Sequence, residues 1–217
     1  MSGLEGMRDT SRAMARQAEA VVFDLGKVLL DFDYGIVVGK LAARGRLTVP
    51  RLQHLLVESP LLPAYERGEL SSPEFFEIVQ RESGFTGSYE EFAAWFGDIF
   101  RPIEPMVALQ AELRVRGVPT YIFSNTNDLA IGYVRRSYPF FGGFDGYVLS
   151  YEHGSMKPDA ALYEVVERVT GRRGEALVYL DDRPENVEAG AARGWRAVMH
   201  TDPVISRERV REAGLLG

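Results

Sequence analysis

The apolar residues of this chain fall into short unbroken runs separated by stretches of helical period. The first run, Ala20-Val21-Val22-Phe23, climbs to a single carboxylate, Asp24, and breaks at Gly26. Four or five apolar residues closed by a turn signal predict a strand buried on both faces of a parallel sheet. A carboxylate at its C-terminal end has two readings. It is a structural cap of the strand-to-loop turn, or it is a functional group, because open α/β sheets bind their ligands there.

From Tyr34 to Pro105 the pattern predicts helices and no strand. Ser71-Ser72-Pro73-Glu74 is a capping-box sequence with a proline in the first turn, and Phe75, Phe76 and Val79 follow it. Ser88-Tyr89-Glu90-Glu91 repeats the device. Behind it Tyr89, Phe92, Phe96 and Phe100 are spaced to share one helical face, which reads as the core of a small helical bundle rather than a ligand box. Gly84 to Gly87 separates the two helices.

After Glu104 helix and strand alternate. Helices are predicted over Met106 to Arg116, Leu129 to Arg136, Pro158 to Val169 and Asn186 to Arg193. Strands are predicted at Pro119 to Phe123, Asp145 to Ser150, Ala176 to Leu180 and Trp195 to Met199. Such alternation gives right-handed βαβ units and a parallel sheet. The expected architecture is α/β, a Rossmann-like five-stranded parallel sheet with helices on both faces. Residues 18–33 and 106–217 would form its core domain, residues 34–105 an inserted all-helical cap domain, and residues 1–17 a polar N-terminal extension.

Composition narrows the partners. The chain has 217 residues, 46% of them hydrophobic, enough for one large domain or a core with a smaller insert. A formal net charge of -6 with no long basic block argues against nucleic acid. Arg172-Arg173 and Arg207 to Arg211 read as solvated helix ends. No apolar run approaches the roughly 20 residues of a membrane span, and the leader has no signal-peptide core. With no cysteine, disulfides, thiolate metal sites and a cysteine nucleophile are excluded; this is compatible with a cytoplasmic protein.

The predicted strands end in Asp24, Ser124-Asn125 and Asp181-Asp182, and Lys157 stands just before a helix. In a parallel sheet these ends share one edge, so residues far apart in sequence meet in one crevice. Carboxylates from two strands, with no His or Cys cluster, make a hard oxygen site suited to Mg²⁺. A serine hydroxyl, backbone N–H groups at a helix start and a lysine would hold a phosphate dianion. A carboxylate in line with its phosphorus is a competent nucleophile, giving an aspartyl-phosphate that water hydrolyses.

These residues carry a family resemblance. Phe23-Asp24-Leu25-Gly26-Lys27-Val28, Phe123-Ser124-Asn125-Thr126, Met156-Lys157-Pro158 and Leu180-Asp181-Asp182-Arg183-Pro184-Glu185-Asn186 resemble the four motifs of the haloacid dehalogenase superfamily, in that family's order. Tyr65-Glu66-Arg67-Gly68-Glu69-Leu70-Ser71 and Ser124-Asn125-Thr126-Asn127 are similar to sugar-phosphate phosphatases of the α-D-glucose-1-phosphatase kind. The resemblance implies Asp24 as nucleophile and Mg²⁺ ligand, the Gly26 carbonyl as second ligand and Asp182 as third, with Asp181 in support or bound through water. It implies Ser124 and Asn125 as phosphate ligands and Lys157 as partner of both phosphate and Asp24.

Most phosphatases of the superfamily place a second aspartate, the general acid, two residues after the nucleophile. This chain has Gly26 there, as does the glucose-1-phosphatase-like branch, and Asp31, Asp33 or Glu66 are the candidate substitutes. Lys27 either contacts substrate or points to solvent, and Glu66-Arg67 either face the site or form an exposed pair. His54, His153 and His200 have no ligand spacing and read as surface or structural residues. Asp33 and Asp145 read as turn caps, and Trp95 and Trp195 as packing residues.

The leading expectation is therefore a Mg²⁺-dependent phosphatase acting on a small phosphorylated metabolite, a sugar phosphate first, as a monomer or weak homodimer. The alternatives are a 2-haloacid dehalogenase-like hydrolase, in which Asp24 attacks carbon without a metal, and a catalytically impaired ligand- or partner-binding protein.

Overall fold

The computed structural model describes residues 17–217; the expected extension lies, apart from Gln17, outside the described residues. Five parallel strands form the central sheet in the order β5-β4-β1-β6-β7. They are β1 (Ala20–Phe23), β4 (Thr120–Ser124), β5 (Gly146–Leu149), β6 (Leu177–Asp181) and β7 (Arg196–Met199). β1 is central because it is apolar on both sides. Val21 and Phe23 join one buried cluster, Ala20 and Val22 the other, and all four are fully buried.

Helices α6 (Glu104–Val115) and α10 (Pro203–Glu212) cover the first face with Met106, Leu109, Leu113 and Val210. Helix α8 (Ala160–Thr170) covers the second with Leu162, Tyr163, Val165 and Val166, and α9 (Pro184–Ala192) lies beside it on β6 and β7. Helix α7 (Asp128–Ser137) follows β4 and is capped by the Asn127 side chain, which accepts from the Ala130 N–H at 3.0 Å. The α/β class, the five-stranded parallel sheet and its two helical faces are as the hydrophobic pattern predicts. No helix among the described residues is long and apolar enough to cross a membrane.

Between β1 and β4 the chain leaves through β2 (Leu30–Phe32) and returns through β3 (Phe100–Pro102), which pair antiparallel with Phe32 opposite Phe100. Five α-helices lie between them, α1 (Gly35–Ala42), α2 (Val49–Gln53), α3 (Leu61–Glu66), α4 (Ser72–Ser83) and α5 (Tyr89–Gly97), with a π-helical turn (His54–Glu58) after α2. Their core is aromatic, with Phe75 stacked on Tyr65 at 4.4 Å and in contact with Phe92 and Phe96. Ser71 completes the capping box with Glu74. Ser88 caps α5 only halfway, because the Glu91 carboxylate pairs with Arg44 instead.

Two details depart from the sequence reading. β3 is a strand where none was expected, and Phe100 belongs to it rather than to the helical stripe. α5 ends at Gly97, where the Tyr133 ring packs against the backbone, and pairing with β2 takes the following residues. Pro158 does not open a helix; it follows a cis peptide bond, and α8 starts at Ala160 behind Asp159. The arginines at 207–211 lie exposed towards the C-terminal end of α10, as the sequence reading has them, and Arg207 reaches Glu112 at 2.5 Å.

Candidate active site

The sheet delivers its polar residues to one edge. β1 pairs with β6 up to Asp24, whose N–H donates to the Leu180 carbonyl at 2.9 Å. The Asp24 carboxylate accepts from the Leu25 N–H at 2.7 Å. The chain then turns sharply through Lys27, held at φ 58°, and comes back as β2. This turn lays the Phe32 ring against Gly26, where a Cβ would sit 2.9 Å from the ring. A side chain at position 26 would need Phe32 to move aside, so the glycine and the phenylalanine form a matched pair.

β6 ends at Asp181, which is fully buried. All its acceptor capacity is directed: Oδ2 takes Lys157 Nζ at 2.6 Å and the Tyr179 hydroxyl at 2.5 Å. Oδ1 takes the Arg183 N–H at 2.9 Å and the Asn186 amide at 3.0 Å. Asp181 therefore positions Lys157. Asp182, half-buried, faces the cavity instead. Lys157 Nζ also reaches Asp24 at 2.9 Å and the Phe123 carbonyl at 3.0 Å. Its backbone is clamped by Asn125, whose Oδ1 accepts from the Lys157 N–H at 2.7 Å and whose Nδ2 donates to the Lys157 carbonyl at 3.0 Å.

One oxygen from each of Asp24, Asp181 and Asp182 lies within 4.8 Å of the other two. Three carboxylates against one ammonium leave a surplus of negative charge, and the titration of the group reflects it. Burial, aided by Asp181 and Asp182 and opposed by Lys157, pushes Asp24 up to about 7. Burial and the Asp181 charge raise Asp182 as well. Burial works against ionisation of Asp181 too, yet Lys157 and the hydrogen bonds hold it below its ordinary value. Burial disfavours the Lys157 ammonium, but Asp24 and Asp181 outweigh it and raise its pKa. Hard oxygen donors with uncompensated charge fit a divalent cation such as Mg²⁺.

Asp24, Gly26, Asn125, Lys157 and Asp182 line one cavity of about 290 Å³. Phe32, Tyr34, Val57, Leu62, Pro63 and Met156 give its lining an apolar part, and Glu66, Lys27 and Arg183 also border it. Ser124 lies in an adjoining recess of about 50 Å³ that shares Gly26, Glu66 and Asn125 with the cavity. The Ser124 hydroxyl has only a long contact to the Asn125 carbonyl, 3.3 Å, and is able to turn to a ligand. The Asn125 side chain is less free than its phosphate-binding expectation implies, because Lys157 already takes both its ends.

The other candidates separate. Lys27 pairs with Asp31 at 2.5 Å, and that contact holds Asp31 below its ordinary value, which makes Asp31 a poor proton donor. Asp33 caps the Gly35 N–H at 2.7 Å, and Asp145 the Thr120 N–H at 2.8 Å. His54 and His153 are exposed, and His200 is buried against Ser206. None of the three lines the cavity.

Sequence reasoning missed Tyr179 and Ser150. Tyr179 sits among apolar residues of β6, and only its hydroxyl on Asp181 gives it a role. Ser150, fully buried after β5, accepts from the Thr126 N–H at 2.9 Å, and its Oγ lies 2.6 Å from the Glu66 carbonyl. It ties the loop after β4 to the end of α3. Two residues on, Gly68 adopts φ 75° with its missing Cβ only 2.2 Å from the Tyr151 carbonyl. Gly68→Ala should cost about 1–2 kcal/mol for the left-handed backbone alone. The clash adds to that, so a thermal melt should show a fall of several degrees, about 2–4 °C per kcal/mol.

Known proteins resemble this chain over most of its length. The chain is 27% identical to a sesquiterpene phosphatase of Aspergillus oryzae over 202 residues, 92% of this chain and 98% of the relative. It is 21% identical to a D-ribitol-5-phosphate phosphatase of Bacteroides thetaiotaomicron, over 81% of this chain and 88% of that one. A HAD family enzyme of the same bacterium, solved as a magnesium complex, superposes with a TM-score of 0.73 at 20% identity, covering 85% of this chain and 94% of that one. The same enzyme has also been solved with magnesium and inorganic phosphate. The model of the haloacid dehalogenase-like hydrolases matches residues 18–194, and the chain belongs to that family.

Proposed function

We propose that this hydrolase is a Mg²⁺-dependent phosphatase that cleaves a small phosphorylated metabolite through an aspartyl-phosphate on Asp24. The observation that carries the reading is the Lys157 ammonium held between Asp24 and Asp181, with Asp182 facing the same space. Asp24, the Gly26 carbonyl and Asp182 would hold the metal, which would supply positive charge against the phosphate dianion. Lys157 would neutralise a second phosphate oxygen, and Ser124 would bind another from the adjoining recess. Burial keeps water from screening these charges. A dehalogenase would use Asp24 without a metal, so the further acids Asp181 and Asp182 beside it favour the phosphatase.

Residues 34–105 would act as a cap domain over the core of residues 18–33 and 106–217. Val57, Leu62, Pro63 and Glu66 of this segment line the cavity that holds Asp24, and they would select the leaving group. A sugar phosphate is the first candidate, on the likeness of the Tyr65-to-Ser71 run. The apolar part of the lining favours a second, the phosphate ester of an apolar alcohol, as the sesquiterpene phosphatase relative acts on.

Phosphate release from a panel of sugar phosphates and isoprenoid or alkyl phosphates, with Mg²⁺ and with EDTA, tests the reading. Release should vanish in EDTA and return with Mg²⁺; metal-independent halide release instead would support the dehalogenase. Binding of inorganic phosphate without turnover would support the impaired binding protein. Asp182→Asn should weaken Mg²⁺ binding by at least about tenfold in calorimetric titration, since even indirect partners of a metal cost that much.

A further inference from the structure

We propose that Glu66, on the helical insertion, is the general acid that protonates the leaving oxygen, in the role that position 26 leaves vacant. The inference rests on the phosphatase reading above and deepens it.

Position 26 has no acid, and the Phe32 ring fills the space beside it. Of the three acids able to substitute, Asp31 is exposed and held by Lys27, and Asp33 is used to cap α1. Glu66 alone lines both the cavity that holds Asp24 and the recess that holds Ser124. It is the last residue of α3, half-buried, and its carboxyl makes no hydrogen bond to any described residue. Arg67 beside it does not line the cavity, so the two are not an exposed pair.

The surroundings favour the protonated form. Burial is the main cause, and it pushes Glu66 up to about 7 against the pull of Arg183 and Lys157. The C-terminal end of a helix also disfavours a negative charge. The groups that face Glu66 are Tyr34 just before α1, Arg183 just before α9 and Lys157 after β5, and Asp24, Asp182 and Lys27 line the same cavity. Burial keeps the Tyr34 hydroxyl un-ionised. A carboxyl with a pKa near the working pH is the best compromise for proton transfer in both directions.

The placement is built in. Ser150 fastens the Glu66 carbonyl to the same hydroxyl that holds the Thr126 N–H, so the acid and the phosphate loop share one anchor. On the other side of α3 the Tyr65 hydroxyl accepts from the Leu129 N–H at 3.1 Å and meets Ser72 at 2.7 Å.

The step balances. Asp24 forms a bond to phosphorus while the bond to the leaving oxygen breaks. That oxygen keeps the electron pair and takes the Glu66 proton, giving the alcohol, the aspartyl-phosphate and a Glu66 carboxylate. The carboxylate then takes a proton from the attacking water as its oxygen bonds to phosphorus. The Asp24 oxygen leaves with its electron pair, and inorganic phosphate and both starting side chains are restored.

The test compares wild type with Glu66→Gln, in Mg²⁺, on p-nitrophenyl, phenyl and n-hexyl phosphates. p-Nitrophenolate leaves without a proton and hexanol does not. Glu66→Gln should lose about 10²–10⁴-fold in kcat/KM on hexyl phosphate and stay within about threefold on p-nitrophenyl phosphate, with phenyl phosphate between, because kcat/KM ends at transfer to Asp24 and leaves out the water step the esters share. Because Glu66 acts protonated, wild-type kcat/KM on hexyl phosphate should fall as pH rises through about 7, and the variant should lack that limb. An equal loss of kcat/KM on all three esters, or no loss on hexyl phosphate, would overturn the assignment. If wild type releases phosphate from none of them, the phosphatase reading itself fails, and activity on p-nitrophenyl phosphate alone tells the two failures apart.

Discussion

Asp24→Asn should abolish phosphate release, with a loss of the order of 10⁵–10⁶ in kcat, the scale seen when a covalent nucleophile is removed. The amide matches the carboxylate in size and can still accept from the Leu25 N–H, so the β1 turn has no reason to change. It cannot form the acyl-phosphate. Substitution also removes one of three mutually repelling carboxylates, which compensates for the lost pairing with Lys157. The variant should therefore give an unchanged circular dichroism spectrum and still bind inorganic phosphate. Retention of full activity would refute Asp24 as the nucleophile.

Lys157→Met should be the most destabilising substitution at the site. Lys157 is the one ammonium that bridges Asp24 and Asp181, and its side chain and that of Asp181 are both sealed from solvent. Removing one partner of a buried pair leaves an uncompensated charge, at a cost of about 3–5 kcal/mol. In a chain of this size that is a fall in Tm of about 6–20 °C, measured in EDTA. The sign of the pH dependence follows from Asp181, whose folded pKa is held below its ordinary 3.8. Stability from a depressed acid is present above the unfolded value and is lost as pH falls through the folded one. The gap between wild type and Lys157→Met should thus be widest near neutrality and narrow below pH of about 4. Adding Asp24→Asn to Lys157→Met should recover part of the loss, because one of the acids crowded against Asp181 is then gone.

The sheet was legible because strands buried on both faces must be apolar at every position, and Ala20 to Phe23 and Leu177 to Leu180 have no other soluble use. Their polar ends were legible for the same reason: Asp24 and Asp181 interrupt runs that nothing else interrupts. β3 was not, because three residues, one of them Pro102, carry no periodicity, and only pairing with Leu30 to Phe32 makes them a strand. Nor could spacing separate Glu66 from Arg67, since adjacent residues on a short helix differ only in the direction they face. The glycine at position 26 was visible as a gap, but not that Phe32 occupies it, which depends on a turn closed by the Lys27 N–H on the Leu30 carbonyl at 2.7 Å. The clamp of Asn125 on the Lys157 backbone was hidden for a similar reason. It joins two loops 32 residues apart.

The β2–β3 ribbon has a consequence for how this architecture diversifies. The chain departs from the sheet and rejoins it through two hydrogen-bonded neighbours, and Ile103 donates back to the Leu29 carbonyl at 2.9 Å. Whatever is strung between Phe32 and Phe100 begins and ends at one place, so its length and content place no demand on the register of the five strands. Such a graft point separates two evolutionary clocks. Asp24 can stay fixed while the segment that brings Leu62 and Glu66 to its cavity is rewritten, lengthened or exchanged.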